Sequence, residues 1–477
     1  MTLPKWHLLV DWDGDGTFES DEGVAVFHAS IERGKRDIVR HDGKGFEPPQ
    51  IGKGTLLLVD KTGRYDPWNA GSPIYPNFTA NKSFKLQVEV DGTIYPVVRG
   101  RIQKIRRDSA MGASPVVRLD VTDAWADLND AIYVAPQRNI YPGDAMGMIL
   151  DAAGWDAALR DIDQGVDERA VWWASGETAR AALHALASSD GGTLALRADG
   201  TIRFRDRHAD EESIGTLTDA DIFHGVRIPL PWDSVRTRVE VTAYMPSDLE
   251  GELFTYRAPV PVQGKTTSEV FISPPTGTYI ESVTSVVFGA SYDAGGAEDA
   301  TSALDVTAEV LSATRLKLTI VNNDTGQVYL QWATINGSGV RLTGVTSEAS
   351  NDTGIALYGE RTLKIDNLWL QDVFVAKDFA DHYAWWLGEP SPDRALLSVV
   401  LRGNAKQFLW DVGDVITADL NVLPEPQAYR IIRMKHRWLD RGGVKVETEM
   451  LLEPKFSFTN MYWFFPTQLG VTSRFGF

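Results

Sequence analysis

Short runs in which apolar and polar residues alternate dominate the first 125 residues and predict β-strands. Examples are LLVDWD, GTLLLVD and the longer run from 84 to 107, which are separated by Gly, Asp and Pro. A period of two places every second side chain on the same face of a sheet. Asp91-Gly92 separates two such runs, and this pair tolerates the positive φ of a tight hairpin turn. Residues 1–125 are therefore predicted to form an N-terminal β-domain.

The spacing becomes helical in residues 126–225. Pro142 opens an apolar stripe that closes near Gly154, and residues 176–189 are rich in Ala and Leu and precede two glycines. Pro is favoured in the first turn of a helix, and Gly is favoured just after the last turn. A strand, an Asp-Gly turn and a second strand follow. Two helices against a small sheet predict an α+β domain.

Strand patterns return in the remainder of the chain, with one more helix. Residues 226–255 are predicted to be connecting strands, and residues 256–345 are rich in Thr, Ser, Val and Gly with short, regularly spaced strands. The second pattern is typical of a β-sandwich, which is predicted as an insertion because helix and strand character resumes after it. Residues 346–455 are predicted to hold a helix within 371–387 and a C-terminal β-domain. The expected fold class is mainly β with α+β segments, in several domains.

The last 22 residues, 456–477, form an aromatic C-terminal arm. Such a density of aromatic side chains is unfavourable in water. The arm therefore either folds back on its own domain or docks on a neighbouring subunit, and we expect the second arrangement to involve its aromatic residues. These candidate contact residues are Phe456, Phe458, Tyr462, Trp463, Phe464 and Phe465.

Composition and charge exclude several classes of protein. The 477 residues include no Cys, so disulfides, thiolate metal sites and cysteine nucleophiles are excluded. The net charge of −18 is the reverse of what a specific nucleic-acid binder normally carries. No window is apolar enough for a membrane span, and the N-terminus lacks the layout of a signal peptide. Folding in a reducing cytoplasm is expected.

An acidic loop, residues 11–22, matches the D-x-D-x-D-G-x5-E pattern of calcium loops. A structural calcium ion would be held by the side chains and one carbonyl of Asp11, Asp13, Asp15, Thr17 and Glu22. Two features favour a bare acidic turn instead. The residues before the loop predict a strand rather than the helix of an EF-hand, and Asp and Gly are ordinary hairpin residues.

Signals for catalysis are weak, so no catalytic residue is predicted. The chain lacks H-E-x-x-H, the Walker-type glycine loop and the G-x-S-x-G elbow, and its eight His are not in ligand spacing. Trp172-Trp173 and Trp385-Trp386 are candidates for stacking on sugar rings, with core packing as the alternative. Carboxylate pairs of a glycosidase cannot be recognised from spacing.

Several phrases occur in one order along most of the chain. They are VDKTGRYDPWNAGSPIYPNF at 59–78, called the turn segment below, DERAVWWASGETARAALHALASSDGG at 167–192, GTIRFRDRH at 200–208 and YGERTLKIDNLWLQD at 358–372. Together they resemble tail-tip or baseplate-hub (minor tail) proteins of long-tailed bacteriophages and phage-like particles. Residues 256–345 and the aromatic arm resemble this group least.

The resemblance implies a structural virion protein rather than an enzyme. It implies β hub domains that assemble as a symmetric homo-oligomer, commonly a trimer, on the end of the tail tube. The implied partners are other tail proteins: the adjacent ring of the distal tail or tube, and fibres. In the turn segment, Arg64 is expected to bind a carboxylate such as Asp60 or Asp66, and Arg64 and Trp68 are candidate subunit contacts. The alternative is a receptor- or carbohydrate-binding tail protein, with possible cell-wall or polysaccharide hydrolase activity.

Overall fold

The structure of the protein is a computed structural model. It describes residues 4–40, 42–108, 115–229, 234–389, 391, 394–403, 405–440 and 443–455.

Strands outnumber helices throughout these residues. The strands are β1 Lys5–Asp11, β2 Ser20–Asp21, β3 Val26–Gly34, β4 Gln50–Val59, β5 Ser83–Val90, β6 Thr93–Asp108, β7 Val116–Asp123, β8 Ala131–Ile140, β9 Arg160–Ile162, β10 Arg169–Thr178, β11 Thr193–Leu196, β12 Ile202–Arg205, β13 Thr216–Thr218, β14 Arg238–Tyr256, β15 Val260–Val262, β16 Thr267–Ile272, β17 Thr278–Ser291, β18 Leu304–Ser312, β19 Arg315–Asn322, β20 Val328–Ser350, β21 Thr362–Asp366, β22 Leu397–Arg402, β23 Val415–Asp419, β24 Gln427–Trp438 and β25 Val446–Pro454. The helices are α1 Pro142–Ala152, α2 Ala179–Asp190, α3 Asp352–Tyr358, α4 Val373–Gly388 and α5 Lys406–Leu409.

A sheet of 12 strands joins both ends of the described chain. Its path is β13-β23-β24-β3-β4-β7-β6-β5-β1-β2, while β25 pairs with β24 and carries β22 on its other side. The two halves meet where β24 pairs antiparallel with β3, which places Arg433 opposite Gly34. The strands of residues 1–125 and those after residue 395 therefore share backbone hydrogen bonds, while our division of the chain into domains remains a prediction.

The predicted α+β segment contains α1 and α2 with two small sheets. Pro142 is in the first turn of α1, and Gly191 caps α2 in the left-handed conformation with φ 67°. Both ends follow the sequence signals described above. The helices pack with Trp172 and Leu183 in one buried cluster, to which Val340 of β20 also belongs.

A long ribbon carries the sandwich. β14 and β20 pair from Arg238–Ser350 at one end to Tyr256–Ala333 at the other. Near the base, α4 and β21 cover the ribbon, and near the tip β15 and β17 pair with β20. The three-stranded sheet β16-β19-β18 packs against this tip through a shared core that includes Leu318 and Ile335.

The predicted fold class, mainly β with α+β segments and an inserted sandwich, is confirmed. Among the described residues, no helix combines the length and the apolar character that crossing a membrane requires.

Candidate functional site

The acidic loop connects β1 to β2 and brings three carboxylates together. One oxygen of each of Asp11, Asp13 and Asp15 lies within 4.8 Å of the others. Asp11 is buried and accepts the N–H groups of Gly14 and Gly16 at 2.6 and 3.1 Å. Asp15 accepts the N–H of Thr17 at 2.7 Å. Backbone amides thus already satisfy the innermost carboxylate, as in an Asx turn.

Glu22, at the end of the same loop, binds protein groups instead of this cluster. Its buried carboxylate accepts Arg64 Nη2 at 2.6 Å, the Tyr65 hydroxyl at 2.5 Å and Trp12 Nε1 at 3.1 Å. The Glu22 carboxylate raises the pKa of Arg64 through this hydrogen bond. Burial and the same carboxylate also raise the pKa of Tyr65. Glu22 is therefore committed to an ion pair between two loops.

This geometry changes the predicted calcium ligand set. Asp11, Asp13 and Asp15 come together as expected, and β1 leads into the loop, so the flanking helix of an EF-hand is replaced by a strand. The bidentate role predicted for Glu22 does not fit, because both of its oxygens bind Arg64, Tyr65 or Trp12. Calcium at the three remaining carboxylates stays a prediction.

Arg64 links the turn segment to the acidic loop, and its expected partners were wrong. Asp60 and Asp66 instead accept hydrogen bonds from Arg107 of β6, at 3.3 and 2.8 Å. Arg64 also anchors its own segment, since its carbonyl accepts the hydroxyl of Ser72 at 2.6 Å. These contacts fix the turn segment from three sides.

Two large apolar side chains project from this fixed unit. Trp68 is 82% exposed, and its N–H donates to Asp66 Oδ1 at 3.1 Å. Val24, two residues beyond Glu22, is fully exposed. An exposed Trp on a rigid support loses little conformational entropy on binding, which suits it to a protein contact.

The tryptophan pairs considered for sugar stacking lie in different surroundings. Trp172 and Trp173 are buried, with Trp369 packed edge-on to both rings, so they belong to the core. Trp386 is buried in α4, whereas Trp385 is 42% exposed and lies under the Arg394 guanidinium.

The aromatic arm falls outside the described residues. This applies to all its candidate contact residues, Phe456, Phe458, Tyr462, Trp463, Phe464 and Phe465.

Comparison with solved structures shows the same fold along nearly the whole chain. The tail protein from Neisseria meningitidis MC58 superposes with a TM-score of 0.52 at 12% identity, covering 96% of this chain and 98% of that chain. The 43 kDa tail protein of prophage MuSo2 from Shewanella oneidensis gives a TM-score of 0.50 at 11% identity, covering 94% and 98%.

No protein-family model matches the sequence, and no curated protein matches it either. The chain therefore has the fold of phage tail proteins, and the resemblance predicted from the sequence is confirmed at the level of the fold.

Proposed function

We propose that this chain is a structural, non-enzymatic subunit of the tail of a phage or phage-like particle, located at the tail tip or baseplate hub. The observation that carries this proposal is the shared fold over 94% or more of this chain and 98% of two tail proteins. A match over the whole length of both chains covers the arrangement of all the sheets and helices. It is therefore stronger support than a likeness confined to one common domain.

The subunit assembles as a symmetric oligomer, most simply a trimer, on the end of the tail tube. Its partners are the adjacent ring of the tail and the fibres or other tip proteins that it anchors. The net charge of −18 supports a conduit wall, because a negative surface repels DNA that passes at short range.

The unit formed by the acidic loop and the turn segment is the proposed contact surface. Glu22 and Arg64 hold the two loops together, and each loop then presents one exposed apolar side chain, Val24 and Trp68. In a closed ring, every copy offers this surface to its neighbour or to the next ring. Burial of Trp68 would supply a large share of the contact energy.

Deletion of the gene in cells that produce the particle tests this function. We expect particles without complete tails and restoration of tails by a plasmid copy of the gene. A second plasmid, with Trp68→Ala, should restore tails less well than the wild type. Complete, functional tails in the deletion strain would contradict the proposal.

A further inference from the structure

The sandwich at the tip of the ribbon has an outer face built almost entirely from small polar side chains. Along β20, Ala333 and Ile335 are buried in the sandwich core, so the side chains between and beyond them point outward. Register places Thr334 between Thr255 of β14 and Val287 of β17, and the next rows continue this pattern. We call the set Thr255, Ser282, Ser285, Thr334, Asn336 and Ser338 the hydroxyl face.

Trp332 forms one end of the hydroxyl face. It is paired with Gly289 of β17, and a Cβ at Gly289 would lie only 2.5 Å from the indole Nε1. The ring thus lies directly on the glycine backbone while 36% of the residue stays exposed. At the other end, Tyr279 is buried against Trp173, with ring centroids 5.5 Å apart. From Trp332 to Ser338 the open row is about 20 Å long, at the usual rise of a strand.

Hydrogen bonds between neighbouring strands fix these short side chains. The hydroxyls of Thr255 and Thr334 are 2.8 Å apart, and Thr255 also donates to Glu252 at 2.9 Å. Thr334 therefore donates to Thr255. Because each hydroxyl keeps a free lone pair, this row accepts hydrogen bonds from a ligand.

The rows nearer the base can also donate. The hydroxyls of Ser282 and Ser338 are 2.8 Å apart, so one of the two protons remains available to a ligand. The Asn336 amide uses one N–H toward Ser285 at 3.4 Å and keeps a second N–H and its carbonyl. The face offers both donors and acceptors at fixed positions, which matches the hydroxyl groups of a sugar.

The opposite outer face of the same sandwich differs. There Lys317 lies between Glu309 at 2.7 Å and Glu269 at 3.8 Å, and Arg315 covers Phe271. Such ion pairs are common on solvated sheets. The hydroxyl face contains no cation, and exposed Glu250 and Glu252 follow its edge on β14. Phosphate- or sulfate-bearing polymers are therefore disfavoured, and a neutral ligand is favoured.

We propose that the hydroxyl face binds a neutral polysaccharide, with one sugar ring packed on the Trp332 indole and the following sugars hydrogen-bonded to Thr334, Asn336 and Ser338. The apolar C–H side of a sugar ring suits an exposed indole, and its hydroxyls replace the water bound to the face. A protein partner would bury little apolar area here, because Trp332 and Val287 are the exposed large apolar side chains of these rows. This inference does not depend on the proposed place of the protein in a tail.

Affinity electrophoresis of the full-length protein in native gels tests the proposal. The gels contain an α-glucan, a β-glucan or a mannan as the neutral polysaccharide, and alginate as the anionic comparison. We expect retardation by at least one neutral polysaccharide, with little dependence on salt, and none by alginate. Failure of all three neutral polysaccharides to retard the protein would overturn the proposal.

Variants locate the binding surface. Trp332→Ala should weaken binding about tenfold, as expected for loss of an aromatic stacking partner. The near-isosteric Thr334→Val should weaken it several-fold. Phe271→Ala, which removes an exposed aromatic from the opposite face, is the matched control and should bind as the wild type does. Equal retardation of Trp332→Ala and wild type would overturn the assignment, as would a Trp332→Ala defect confined to subunit assembly.

Discussion

At the scale of single residues, Glu22 joins two loops whose residues are 42 positions apart in sequence. We expect Glu22→Gln to lower the free energy of unfolding by about 2–3 kcal/mol, because Arg64 loses its buried counter-charge. Thermal or denaturant unfolding measures this change. Glu19→Gln, which alters an exposed carboxylate of the same loop, is the control and should be nearly neutral. Equal stability of the two variants would contradict the role assigned to the ion pair.

Asp123 provides a pH-dependent test. Burial raises the pKa of this carboxyl from 3.8 to about 7. A carboxyl with a raised folded-state pKa stabilises the fold fully below its unfolded pKa, and this stabilisation is lost as pH rises through 7. Asp123→Asn removes the titration. The stability of the variant relative to wild type should therefore rise by about 2 kcal/mol or more from pH 4 to pH 8.

Thermal unfolding at several pH values checks the Asp123 prediction. Asp130→Asn, at an exposed carboxylate seven positions later, should show no comparable trend. A difference between Asp123→Asn and wild type that stays constant from pH 4 to pH 8 would show that the Asp123 carboxyl does not titrate in this range.

At the scale of elements, local sequence signals were sufficient to locate turns and helices. Asp91 and Gly92 have φ values of 50° and 82°, as the predicted hairpin turn requires. The helix predicted within 371–387 is α4, capped by Asp372, which accepts the N–H of Phe374 at 2.7 Å. These features depend on residues close together in sequence, so a single chain is enough to predict them.

The end of α2 offers a test with an internal control. Gly191 and Gly154 follow α2 and α1 with nearly equal φ values of 67° and 68°. A Cβ at Gly191 would lie 2.8 Å from the Phe379 ring of α4, whereas nothing lies within 4 Å at Gly154. Gly154→Ala should cost about 1 kcal/mol for the left-handed backbone, and Gly191→Ala should cost about 1–3 kcal/mol more through the clash.

Unfolding measurements on both glycine variants separate the two contributions. If the variants lose the same stability, the backbone conformation alone accounts for the cost. The packing of α2 against α4 would then be looser than the structure shows.

At the scale of the whole molecule, contacts between distant residues could not be predicted from the sequence. β24 pairs with β3 from the other end of the chain, and Arg64 binds Glu22 rather than the nearby Asp60 or Asp66. No local spacing encodes such pairs. The hydroxyl face did leave a signal, since Trp332, Thr334, Asn336 and Ser338 alternate with buried residues. That alternation shows a polar face, but only the paired strands show its neighbours.

Self-association is the prediction that belongs to the assembled state. Light scattering of the purified protein should give the mass of a closed oligomer, most simply a trimer. Trp68→Ala should shift the equilibrium toward monomer by about tenfold or more, because an exposed Trp on a rigid loop is a typical contact hot spot. Tyr133→Ala, at another strongly exposed aromatic, is the control. An equal mass for Trp68→Ala and wild type across a dilution series would exclude Trp68 from the contact.

The location of the protein in the particle tests the central claim most directly. Particles from cells that carry the gene are purified, labelled with gold-conjugated antibody against this protein and imaged by electron microscopy. The proposed function predicts label at the free end of the tail, away from the head. Label on heads, or particles without label while the protein remains free in the lysate, would contradict it.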